Sequence, residues 1–479
     1  MTRTRKKELK RKKLKFKIEE KILKEISKVL NTSGFESYLV GGYIRDRLLG
    51  KISNDIDIMV IGDGIKAAHT VAKIFKKKLS AVYKKFRTAL LNIDAYKIEF
   101  ASARKESYKK HSRKPDIKLA NLQEDLSRRD FTVNALAVSL KNGKLIDLFD
   151  SLKDLEKKII RTPLEPHKTF DDDPLRILRA IRFASTLQFR ICGETFEAIR
   201  DTKHRLVENH IVSQERITNE LMLILSSSKP SIGFNLLHSS GILEIIFPEL
   251  EKLSGVEQKY EYHHKDVFNH TLQVLDNVSA VSDNIWLRFA ALVHDIAKPN
   301  TKSFDSKAGW TFYGHNEVGA KMMGSIFKKL RLPTSKLIYI QNLIRLHLRP
   351  IPLAQEEVTD SAIRRLIVDA GDYLDDLLIL CRADITSKNI EKMKKFLKNY
   401  DKVEKRIIEV KEKDRLRNFQ SPVRGEEIMK ICNLEPSKKV GIIKKKIEDA
   451  ILEGIIPNEY EAARQYLEKI KNDILNQDK

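Results

Sequence analysis

The 479-residue sequence predicts an α+β protein in which a small α/β head precedes a long, almost entirely helical body. Between Tyr38 and Ala101, short β-type runs alternate with helical stretches, as in a small mixed unit. After Arg161 the β-type pattern disappears, and amphipathic helical patterns follow one another to the end of the chain. Because this length exceeds what one packed core usually accommodates, several compact units are expected.

The head is predicted to begin with a helix and to continue into strands. Apolar residues recur at helical spacing over 18–30, which predicts a helix leading into the head. β-favouring runs predict four strands, at 38–40, 56–61, 90–93 and 97–100. A further helix is predicted over 65–75, so strands and helices alternate in this part of the chain.

Helical patterns dominate the body, for example over 174–187 and 213–225. Proline and glycine signals, and a lysine-rich composition near the end, mark the predicted domain limits. These limits define a basic arm at 1–17, a head at 18–162, a helical neck at 163–252, a third domain at 253–388 and a basic helical tail at 389–479. Contact with phosphates and plain solvation are both compatible with the arm.

A strong positive charge is the most informative feature of the composition. The formal net charge is +24 and the pI is near 9.6, so nucleic acid is the leading class of partner, because a positive field attracts polyanions. A genome-wide bias toward lysine is the alternative explanation. The sequence lacks any stretch of the roughly 20 apolar residues that a membrane-spanning helix needs. The basic run over 3–17 also lacks the apolar segment of a secretory signal.

The three cysteines, Cys192, Cys381 and Cys432, are far apart in sequence, and none belongs to a CxxC pair. This spacing argues against a disulfide framework and against a zinc ribbon. A reducing compartment is therefore predicted, and the cytosol fits best, although the sequence leaves an organelle transit peptide open.

Two motifs in the head carry groups suited to phosphate chemistry. Gly41 and Gly42 follow the first predicted strand and open a helix, so backbone N–H groups can approach an anion there. Asp55 and Asp57 stand two residues apart on the next strand, and alternation places both carboxylates on one side. Such a pair can hold two Mg²⁺ ions about 3.5 to 4 Å apart for phosphoryl transfer. Taken singly, each motif is also compatible with a structural turn or a polar strand edge.

Two later segments combine arginines with carboxylates. The segment 128–136 reads RRDFTVNAL, and its polar groups can contact phosphate oxygens and ribose hydroxyls. The segment 172–183 reads DDPLRILRAIRF and begins a predicted helix, with Asp173 at the N-cap and Pro174 at its first position. Arginines recur every three residues along this helix, opposite an apolar face. A salt-bridged helix start and a solvated basic stripe are the alternatives.

The motifs GGxxRD, DxD, RRDFTxNA and DDPxRxLRAxRF, in this order and at these intervals, resemble the class II tRNA nucleotidyltransferase and poly(A) polymerase family over roughly residues 36–250. The resemblance implies transfer of nucleotides from CTP and ATP to the 3′ end of tRNA without a nucleic-acid template. It also implies that Asp55 and Asp57 hold the catalytic Mg²⁺. Asp172 stands where the family more often has glutamate and Ile44 where it has valine, and both departures are mild.

The resemblance further implies a nucleotide-binding set. Gly42, Arg45 and Arg129 would contact the incoming nucleotide, while Asp173 and Arg176 would pair with the Watson–Crick edge of CTP or ATP. The other members would complete this site. The whole implied set is Gly41, Gly42, Arg45, Asp46, Arg128, Arg129, Asp130, Asn134, Asp173, Arg176, Arg179 and Arg182.

A second constellation lies in the third domain, where six of the 12 histidines fall between positions 263 and 347, mostly on predicted helices. Adjacent His294 and Asp295 can bind a transition metal together with a distant histidine and a distant aspartate. The order of these groups resembles the HD superfamily of metal-dependent phosphohydrolases. The resemblance implies hydrolysis of phosphomonoesters or cyclic phosphodiesters with a divalent metal, although HD folds also persist as scaffolds. The implied ligands are His270, His294, Asp295, His315, His347 and Asp384.

Four functions stay open on the sequence alone. The first is a CCA-adding enzyme that binds tRNA, ATP and CTP, with the basic tail gripping tRNA phosphates. The second is a poly(A) polymerase or an A-adding or C-adding enzyme, although the HD domain favours tRNA. The third is an HD phosphohydrolase acting on RNA ends with the head as an RNA-binding module, which the intact Asp55 and Asp57 oppose. The fourth is a basic RNA-binding protein without catalysis. The sequence predicts no particular oligomeric state.

Overall fold

The computed structural model describes residues 15–109, 112–260, 263–307, 309–350, 359–386, 389–414 and 421–475. The chain forms two compact units, Met1–Glu251 and Lys252–Lys479, and each contains its own buried apolar residues. The predicted fold class, an α and β head followed by a helical body, is confirmed. Most of the predicted basic arm lies outside the described residues. At the end of the arm, the Phe16 N–H donates to the Gly143 carbonyl at 2.9 Å.

The strands of the first unit form one large sheet and two small ones. They are β1 (Ser37–Val40), β2 (Asp55–Val60), β3 (Ala81–Tyr83), β4 (Thr88–Ile93), β5 (Tyr96–Ser102), β6 (Arg104–Lys109), β7 (Ser112–Leu119), β8 (Leu136–Ser139), β9 (Leu145–Asp147), β10 (Ile159–Ile160) and β11 (Arg190–Ile191). The large sheet has the order β3-β4-β5-β2-β1-β8-β9, in which only β2 and β5 are parallel neighbours. The central parallel pair therefore places the starts of β2 and β5 side by side.

Helices cover this sheet and build the rest of the first unit. They are α1 (Lys21–Thr32), α2 (Gly42–Leu48), α3 (Gly64–Ile74), α4 (Leu122–Ser127), α5 (Ser151–Lys157), α6 (Pro166–Asp172), α7 (Leu175–Leu187), α8 (Gly193–Thr202), α9 (Gln214–Leu225), α10 (Pro230–Ser239), α11 (Ile242–Ile246) and α12 (Pro248–Glu251). Short 3₁₀ helices lie at Lys84–Phe86, Thr132–Asn134, Lys203–Leu206 and Glu208–His210. The helices predicted over 18–30, 65–75, 174–187 and 213–225 each correspond to an observed helix within three residues at either end.

Sequence periodicity accounts for these elements. In α1, Leu23, Ile26 and Leu30 recur every three to four residues and are fully buried, so this face packs into the core. In β2, Ile56 and Ile58 are buried, while Asp55 and Asp57, which alternate with them, point to the opposite side. Burial of the apolar side of the strand therefore fixes the position of the two aspartates on its polar side.

The second unit is predominantly helical. Its helices are α13 (Val267–Val281), α14 (Ile285–Val293), α15 (Lys298–Thr301), α16 (His315–Lys329), α17 (Leu337–Leu346), α18 (Asp360–Ala370), α19 (Leu374–Asp384), α20 (Ile390–Asp414), α21 (Gly425–Cys432), α22 (Lys438–Leu452) and α23 (Tyr460–Leu475), with 3₁₀ helices at Thr334–Lys336 and Gly371–Tyr373. Two antiparallel hairpins accompany them, β12 (Glu257–Tyr260) with β13 (His263–Asp266) and β14 (Ser303–Asp305) with β15 (Gly309–Thr311). Within the described residues, no helix is both long and apolar enough to cross a membrane.

The expectation that β structure disappears after residue 161 is wrong in detail. Strand β11 pairs in parallel with β10, and the second unit contains two hairpins. These strands have only two to four residues, too few to produce a recognisable alternation in the sequence. His263 and His264, two of the six clustered histidines, lie on β13.

A close contact between three helices provides a test of the core of the first unit. A Cβ on Gly233 in α10 would lie 2.3 Å from Ile224 Cγ2 in α9 and 3.2 Å from Ser185 Cβ in α7. Both neighbours are fully buried. We expect Gly233→Ala to lower the free energy of unfolding by about 1–3 kcal/mol, because overpacking displaces side chains that have no room to move.

The measurement is the shift of the thermal or urea unfolding midpoint relative to the unsubstituted chain. Gly193→Ala in α8 is the matched control, because its Cβ would meet nothing within 4 Å. The control is expected to leave the midpoint unchanged or to raise it slightly. Equal midpoints for the two variants would contradict the packing argument.

Candidate functional site

A cleft of about 860 Å³ in the first unit contains most of the predicted polar residues. This volume lies within the range of small-molecule binding pockets. The cleft lies between one face of the central strands β2 and β5, the segment after α4 and the start of α7. Its charged lining residues are Asp57, Lys85, Glu99, Arg104, Asp125, Arg128, Arg129, Asp130, Asp173, Arg176, Arg179 and Arg216.

Gly41 brings the backbone into close contact with β2. Its φ is +76°, a left-handed conformation that favours glycine, and a Cβ there would lie 2.7 Å from Asp57 Oδ2 and 3.2 Å from Arg129 Nη1. At Gly42, the first residue of α2, a Cβ would lie 3.3 Å from Arg45 Nη2. The paired glycines therefore leave room for charged side chains next to the start of a helix.

Three carboxylates lie on the central parallel pair of strands, β2 and β5. Asp55 is exposed at the start of β2, Asp57 is partly buried, and the parallel register pairs Asp57 with Glu99 of β5. Burial raises the pKa of Asp57 to about 6; the charge of Arg129 opposes this rise, while Glu99 and Asp55 add to it. Clustered carboxylates of this kind are the oxygen ligands that Mg²⁺ prefers, so the donor set fits that ion.

Glu99 is a carboxylate of the cleft that sequence reasoning missed. Its strand was predicted over 97–100, and alternation already put Glu99 on the polar side. The pairing of β5 with β2 is what brings Glu99 next to Asp57, and strand pairing cannot be read from a local pattern.

Asp125, a second missed residue, holds the two arginines that follow α4. Its buried carboxylate accepts from Arg128 Nη2 at 2.7 Å and from Arg129 Nη2 at 3.2 Å. Burial alone would raise the pKa of Asp125, but the two guanidiniums outweigh it and hold that pKa below its usual value. Arg129 Nε is buried and has no hydrogen-bond partner among the described residues, so the protein leaves this guanidinium incompletely satisfied.

A chain of hydrogen bonds runs behind the arginines. Asp130 accepts from Asn134 Nδ2 at 3.0 Å and from Arg179 Nε at 2.9 Å. Asn134 Oδ1 in turn accepts from Arg45 Nη1 at 2.6 Å, and Arg45 Nε donates to Asp46 at 2.8 Å. Burial opposes ionisation of Asp130, but Arg179 and Asn134 keep its pKa well below the usual range. This network links α2, the 3₁₀ turn at Thr132–Asn134 and α7.

The first turn of α7 carries the predicted base-contacting pair. Asp173 has an extended backbone and its Oδ1 accepts from the Leu175 N–H at 3.1 Å, while Pro174 already has helical dihedrals. Asp173 therefore caps the start of α7, as predicted. Arg176 Nη2 donates to the Arg128 carbonyl at 2.8 Å, which fixes this side chain at the wall of the cleft.

Arg182 lies behind the cleft, where it is paired and stacked. Its Nε donates to the buried Glu220 at 2.6 Å, and its guanidinium lies 3.9 Å from the centre of the Phe183 ring. Arg45 and Arg179 also lie over this ring, at 5.2 and 5.5 Å. The predicted arginine stripe is therefore not a solvated face, because its members pack against other elements.

The cleft brings together seven of the predicted residues and leaves others around it. Those that line it are Asp57, Arg128, Arg129, Asp130, Asp173, Arg176 and Arg179. Those predicted for the site but located beside or behind the lining are Gly41, Gly42, Arg45, Asp46, Asp55, Asn134 and Arg182.

A second site lies in the second unit, where all six predicted metal ligands converge. Two groups of three ligand atoms each lie within 4.8 Å of one another: His270, His294 and Asp384, and Asp295, His315 and His347. Asp295 connects the groups, because its Oδ2 lies 3.2 Å from His294 Nε2 and its Oδ1 lies 3.3 Å from His315 Nε2.

The orientation of the histidines fits metal binding. His294, His315 and His347 each direct Nδ1 at a backbone carbonyl, at 2.8, 2.7 and 2.6 Å. Each therefore donates from Nδ1 and directs Nε2 into the site, the orientation that metal-binding histidines have. All three Nε2 atoms are buried and lack a hydrogen-bond partner among the described residues.

Lys298 is a residue of this site that sequence reasoning missed. It is buried, and its Nζ donates to Asp295 Oδ2 at 2.6 Å. Burial opposes ionisation of Asp295, but His294 and Lys298 outweigh it and hold the pKa of Asp295 well below its usual value. The available signal was the position of Lys298, three residues after Asp295, which places the two side chains on neighbouring positions of a helical turn.

Comparisons with known proteins agree with this architecture. The poly A polymerase head domain matches residues 37–161, the probable RNA and SrmB-binding site of polymerase A matches 188–253, and the HD domain matches 267–377.

Curated relatives cover most of the chain. Identity is 34% over 368 residues to the multifunctional CCA protein of Nitrosococcus oceani, covering 74% of this chain and 85% of that protein. It is 30% over 443 residues to the CC-adding tRNA nucleotidyltransferase of Thermus thermophilus, covering 89% and 92%. It is 31% over 352 residues to the A-adding tRNA nucleotidyltransferase of Deinococcus radiodurans, covering 71% and 78%.

Solved structures share the fold. A tRNA nucleotidyltransferase complexed with a primer tRNA and an incoming ATP analogue is 26% identical, with a TM-score of 0.57, and covers 79% of this chain and 99% of that chain. The Bacillus stearothermophilus CCA-adding enzyme in complex with CTP is 21% identical, with a TM-score of 0.65, covers 95% and 99%, and shows likeness of fold alone. The family predicted from the ordered motifs is thus confirmed: the chain belongs to the class II tRNA nucleotidyltransferase and poly(A) polymerase family and is a nucleotidyltransferase with an HD domain.

Proposed function

We propose that this nucleotidyltransferase adds or repairs the complete CCA sequence at the 3′ end of tRNA, using CTP and ATP without a nucleic-acid template. The observation that carries the proposal is a single cleft in which Asp57 and Glu99 lie together with the base-contacting candidates Asp173 and Arg176. Relatives of similar identity are named for CCA, CC or A addition, so the number and kind of added bases need a direct assay.

In this proposal the two aspartates of β2, assisted by Glu99, hold Mg²⁺. When bound, Mg²⁺ would neutralise charge on the triphosphate and activate the tRNA 3′-hydroxyl for attack on the α-phosphate, with pyrophosphate as the leaving group. Arg129 and the backbone at Gly41 lie beside Asp57 and would contact the triphosphate. The protein would thus contribute mainly positioning and charge neutralisation.

Base choice would depend on one carboxylate and one guanidinium. Cytosine and adenine both present an exocyclic amino donor next to a ring-nitrogen acceptor, whereas uracil and guanine present a carbonyl oxygen at the corresponding position. Asp173 would accept from the amino group and Arg176 would donate to the ring nitrogen, so the same pair fits CTP and ATP. The Arg176 contact with the Arg128 carbonyl orients this donor.

The remaining predicted residues would position this pair. Arg45, Asp46 and Asn134 form the hydrogen-bonded chain behind the cleft, and Asp130 anchors Arg179. The buried contact of Arg182 with Glu220 would hold α7 against α9.

We assign catalysis to the head at 18–162, base and RNA contacts to the neck at 163–252 and tRNA phosphate binding to the basic tail at 389–479. The cytosol is the compartment we propose. We further propose that the domain at 253–388 hydrolyses phosphoesters at RNA 3′ ends. The observation that favours this second activity is the buried set of Nε2 atoms directed at two carboxylates.

The six ligands would hold two divalent transition-metal ions, with Asp295 between the two groups. When bound, such ions would polarise the phosphoester and supply hydroxide at neutral pH. Lys298 would keep Asp295 ionised and fixed. This activity would complement addition, because a 3′-phosphate or cyclic phosphate leaves no 3′-hydroxyl to extend.

The first test uses Asp57→Asn. Purified protein is incubated with tRNA lacking CCA, Mg²⁺, and CTP and ATP singly and together, and products are resolved at single-nucleotide resolution. The unsubstituted chain should add C-C with CTP and C-C-A with both nucleotides. Asp57→Asn should lower the rate by at least about 100-fold, as when one group that stabilises transition-state charge is removed.

Asp94→Asn is the matched control. Asp94 is an exposed carboxylate in the turn between β4 and β5 with a positive φ of 52°, which asparagine also adopts, so full activity is expected. Addition of A alone by the unsubstituted chain would contradict CCA synthesis. Undiminished addition by Asp57→Asn would exclude the cleft as the site of nucleotide transfer.

The second test changes Asp173, the proposed acceptor for the amino group of the base. Asp173→Asn replaces a hydrogen-bond acceptor by a group that also donates. UTP, which presents an oxygen at this position, should therefore be used more efficiently relative to CTP. We expect the UTP to CTP ratio of kcat/KM to rise by about 10-fold, since one well-placed base contact discriminates by roughly that factor. Asp172→Asn, at the neighbouring carboxylate, should leave the ratio unchanged. An unchanged ratio in Asp173→Asn would show that Asp173 does not determine which base is selected.

The third test measures metal binding in the second unit. In an Asp57→Asn background, which disables the transferase site, Mn²⁺ titration should reveal two ions per chain, and His315→Gln should remove one of them. His315→Gln should also abolish hydrolysis of a 3′-phosphorylated RNA. His69→Gln, at an exposed histidine of α3, should change neither quantity. One ion per chain in both the background and His315→Gln would contradict the two-ion arrangement.

A further inference from the structure

The hairpin β14–β15 of the second unit and the residues that follow it present three aromatic side chains to solvent. Phe304 is 67% exposed, Trp310 is 42% exposed, and Tyr313, two residues beyond the hairpin, is 79% exposed. Large apolar groups that cluster at a surface mark binding sites more often than singly scattered ones do. We call Phe304, Trp310 and Tyr313 the aromatic platform.

The hairpin itself does not bury this platform. Phe304 and Trp310 are directly opposite across the two strands, and their rings meet edge to face at 5.2 Å. The alternating position on the other side of the hairpin pairs Ser303 with Thr311, whose hydroxyls lie 2.9 Å apart, and Thr311 is buried. The one buried residue of these two pairs is therefore the polar Thr311, while Ser303 and the two aromatic rings stay in water, the reverse of a hairpin that completes a core.

The platform lies in the chain segment between Lys298 and His315. Both residues belong to the second site, formed by the six predicted metal ligands and Lys298, which we call the histidine and aspartate centre. Lys298, which bonds Asp295, begins α15, and β14 follows directly after that helix. Tyr313 precedes His315, the first residue of α16, by two residues, so their Cα atoms are at most about 7 Å apart. The segment that carries the platform therefore has a residue of the centre at each end: Lys298, which supplies a positive charge, and His315, a predicted metal ligand.

The charges of the segment suit a phosphate-bearing ligand. Lys302 Nζ lies 4.4 Å from the centre of the Trp310 ring, and Lys307 is exposed at the tip. Asp305 is the one carboxylate between Lys302 and Tyr313 in the sequence. Aromatic rings interleaved with lysines are the combination by which proteins hold single-stranded nucleic acid, through base stacking and phosphate contacts.

The size of the platform also favours a nucleotide over a protein. Each aromatic side chain buries about 150–250 Å² at most, so three of them fall short of the roughly 800 Å² per partner of a stable protein interface. One or two nucleobases match the platform in area and in chemistry.

We propose that the aromatic platform stacks the terminal bases of a single-stranded RNA and places the 3′ phosphoester at the histidine and aspartate centre. The proposal rests on the phosphohydrolase activity proposed above and deepens it. Its substrates would be RNA ends, while phosphoesters without a base would be poor substrates.

Binding can be tested apart from hydrolysis. The chain contains two tryptophans, so Trp286→Phe makes Trp310 the only one in an otherwise full-length protein. With EDTA present to prevent turnover, titration with the trinucleotide CCA bearing a 3′-phosphate should quench the Trp310 emission in a saturable way. Glycerol phosphate, which has no base, should leave the emission unchanged. In the same background, Phe304→Ala should weaken the affinity for the trinucleotide by about 10-fold, the effect expected for losing one stacking partner.

Hydrolysis supplies an independent measurement. Trp310→Ala should raise KM for the trinucleotide 3′-phosphate by about 10-fold with little change in kcat, and should leave glycerol phosphate hydrolysis unchanged. Trp310→Tyr, which retains an aromatic ring, should restore most of the affinity and shows that the hairpin still folds. Val281→Ala, at an apolar residue that is 70% exposed on α13, is the matched control and should behave like the unsubstituted chain.

The outcomes separate the two proposals. If neither phosphoester is hydrolysed, the phosphohydrolase proposal fails, while the quenching titration still decides the platform. Absence of quenching, or equal quenching by glycerol phosphate, would overturn the platform. An emission change that follows protein concentration and not RNA would overturn it too, because a second copy of the chain would then cover these rings.

Discussion

Neutralisation of buried carboxylates by guanidinium groups is the interaction on which the cleft of the first unit depends. Asp125 binds the two arginines that follow α4, and Asp130 binds Arg179 of α7. A buried charge without its partner is strongly destabilising, so each pair fixes the relative position of the segments that supply it. The arginines that would contact phosphates are thereby oriented before any ligand arrives, which reduces the ordering needed on binding.

The second unit uses backbone carbonyls for the same purpose. Hydrogen bonds from Nδ1 to carbonyls lock the rings of His294, His315 and His347, and their Nε2 atoms converge. Lys298 adds the positive charge that keeps Asp295 ionised. Both units thus rely on surrounding groups to orient the candidate site residues: the first uses charge pairs, and the second combines main-chain carbonyls with the charge of Lys298.

The two proposed activities are chemically related. Addition needs a free 3′-hydroxyl, and hydrolysis of a terminal phosphoester produces one. A chain that carries both centres would restore an end and then extend it, and a platform that holds the end by its bases would recognise RNA regardless of the phosphate it carries. The strong positive charge of the whole chain is consistent with a polyanionic substrate for both.

The sequence by itself determined the fold class, the family and the candidate ligands that stand in compact motifs, because glycine turns, alternating aspartates and adjacent His294 and Asp295 are local patterns. Only the tertiary structure decided which distant groups complete them. Glu99 reaches Asp57 through strand pairing, and Glu220 reaches Arg182 through the packing of two helices. The outward face of the short hairpin at Phe304 was equally hidden, since three-residue strands leave no periodic signal. Pairing and packing depend on contacts between residues far apart along the chain, and local periodicity contains no information about those contacts.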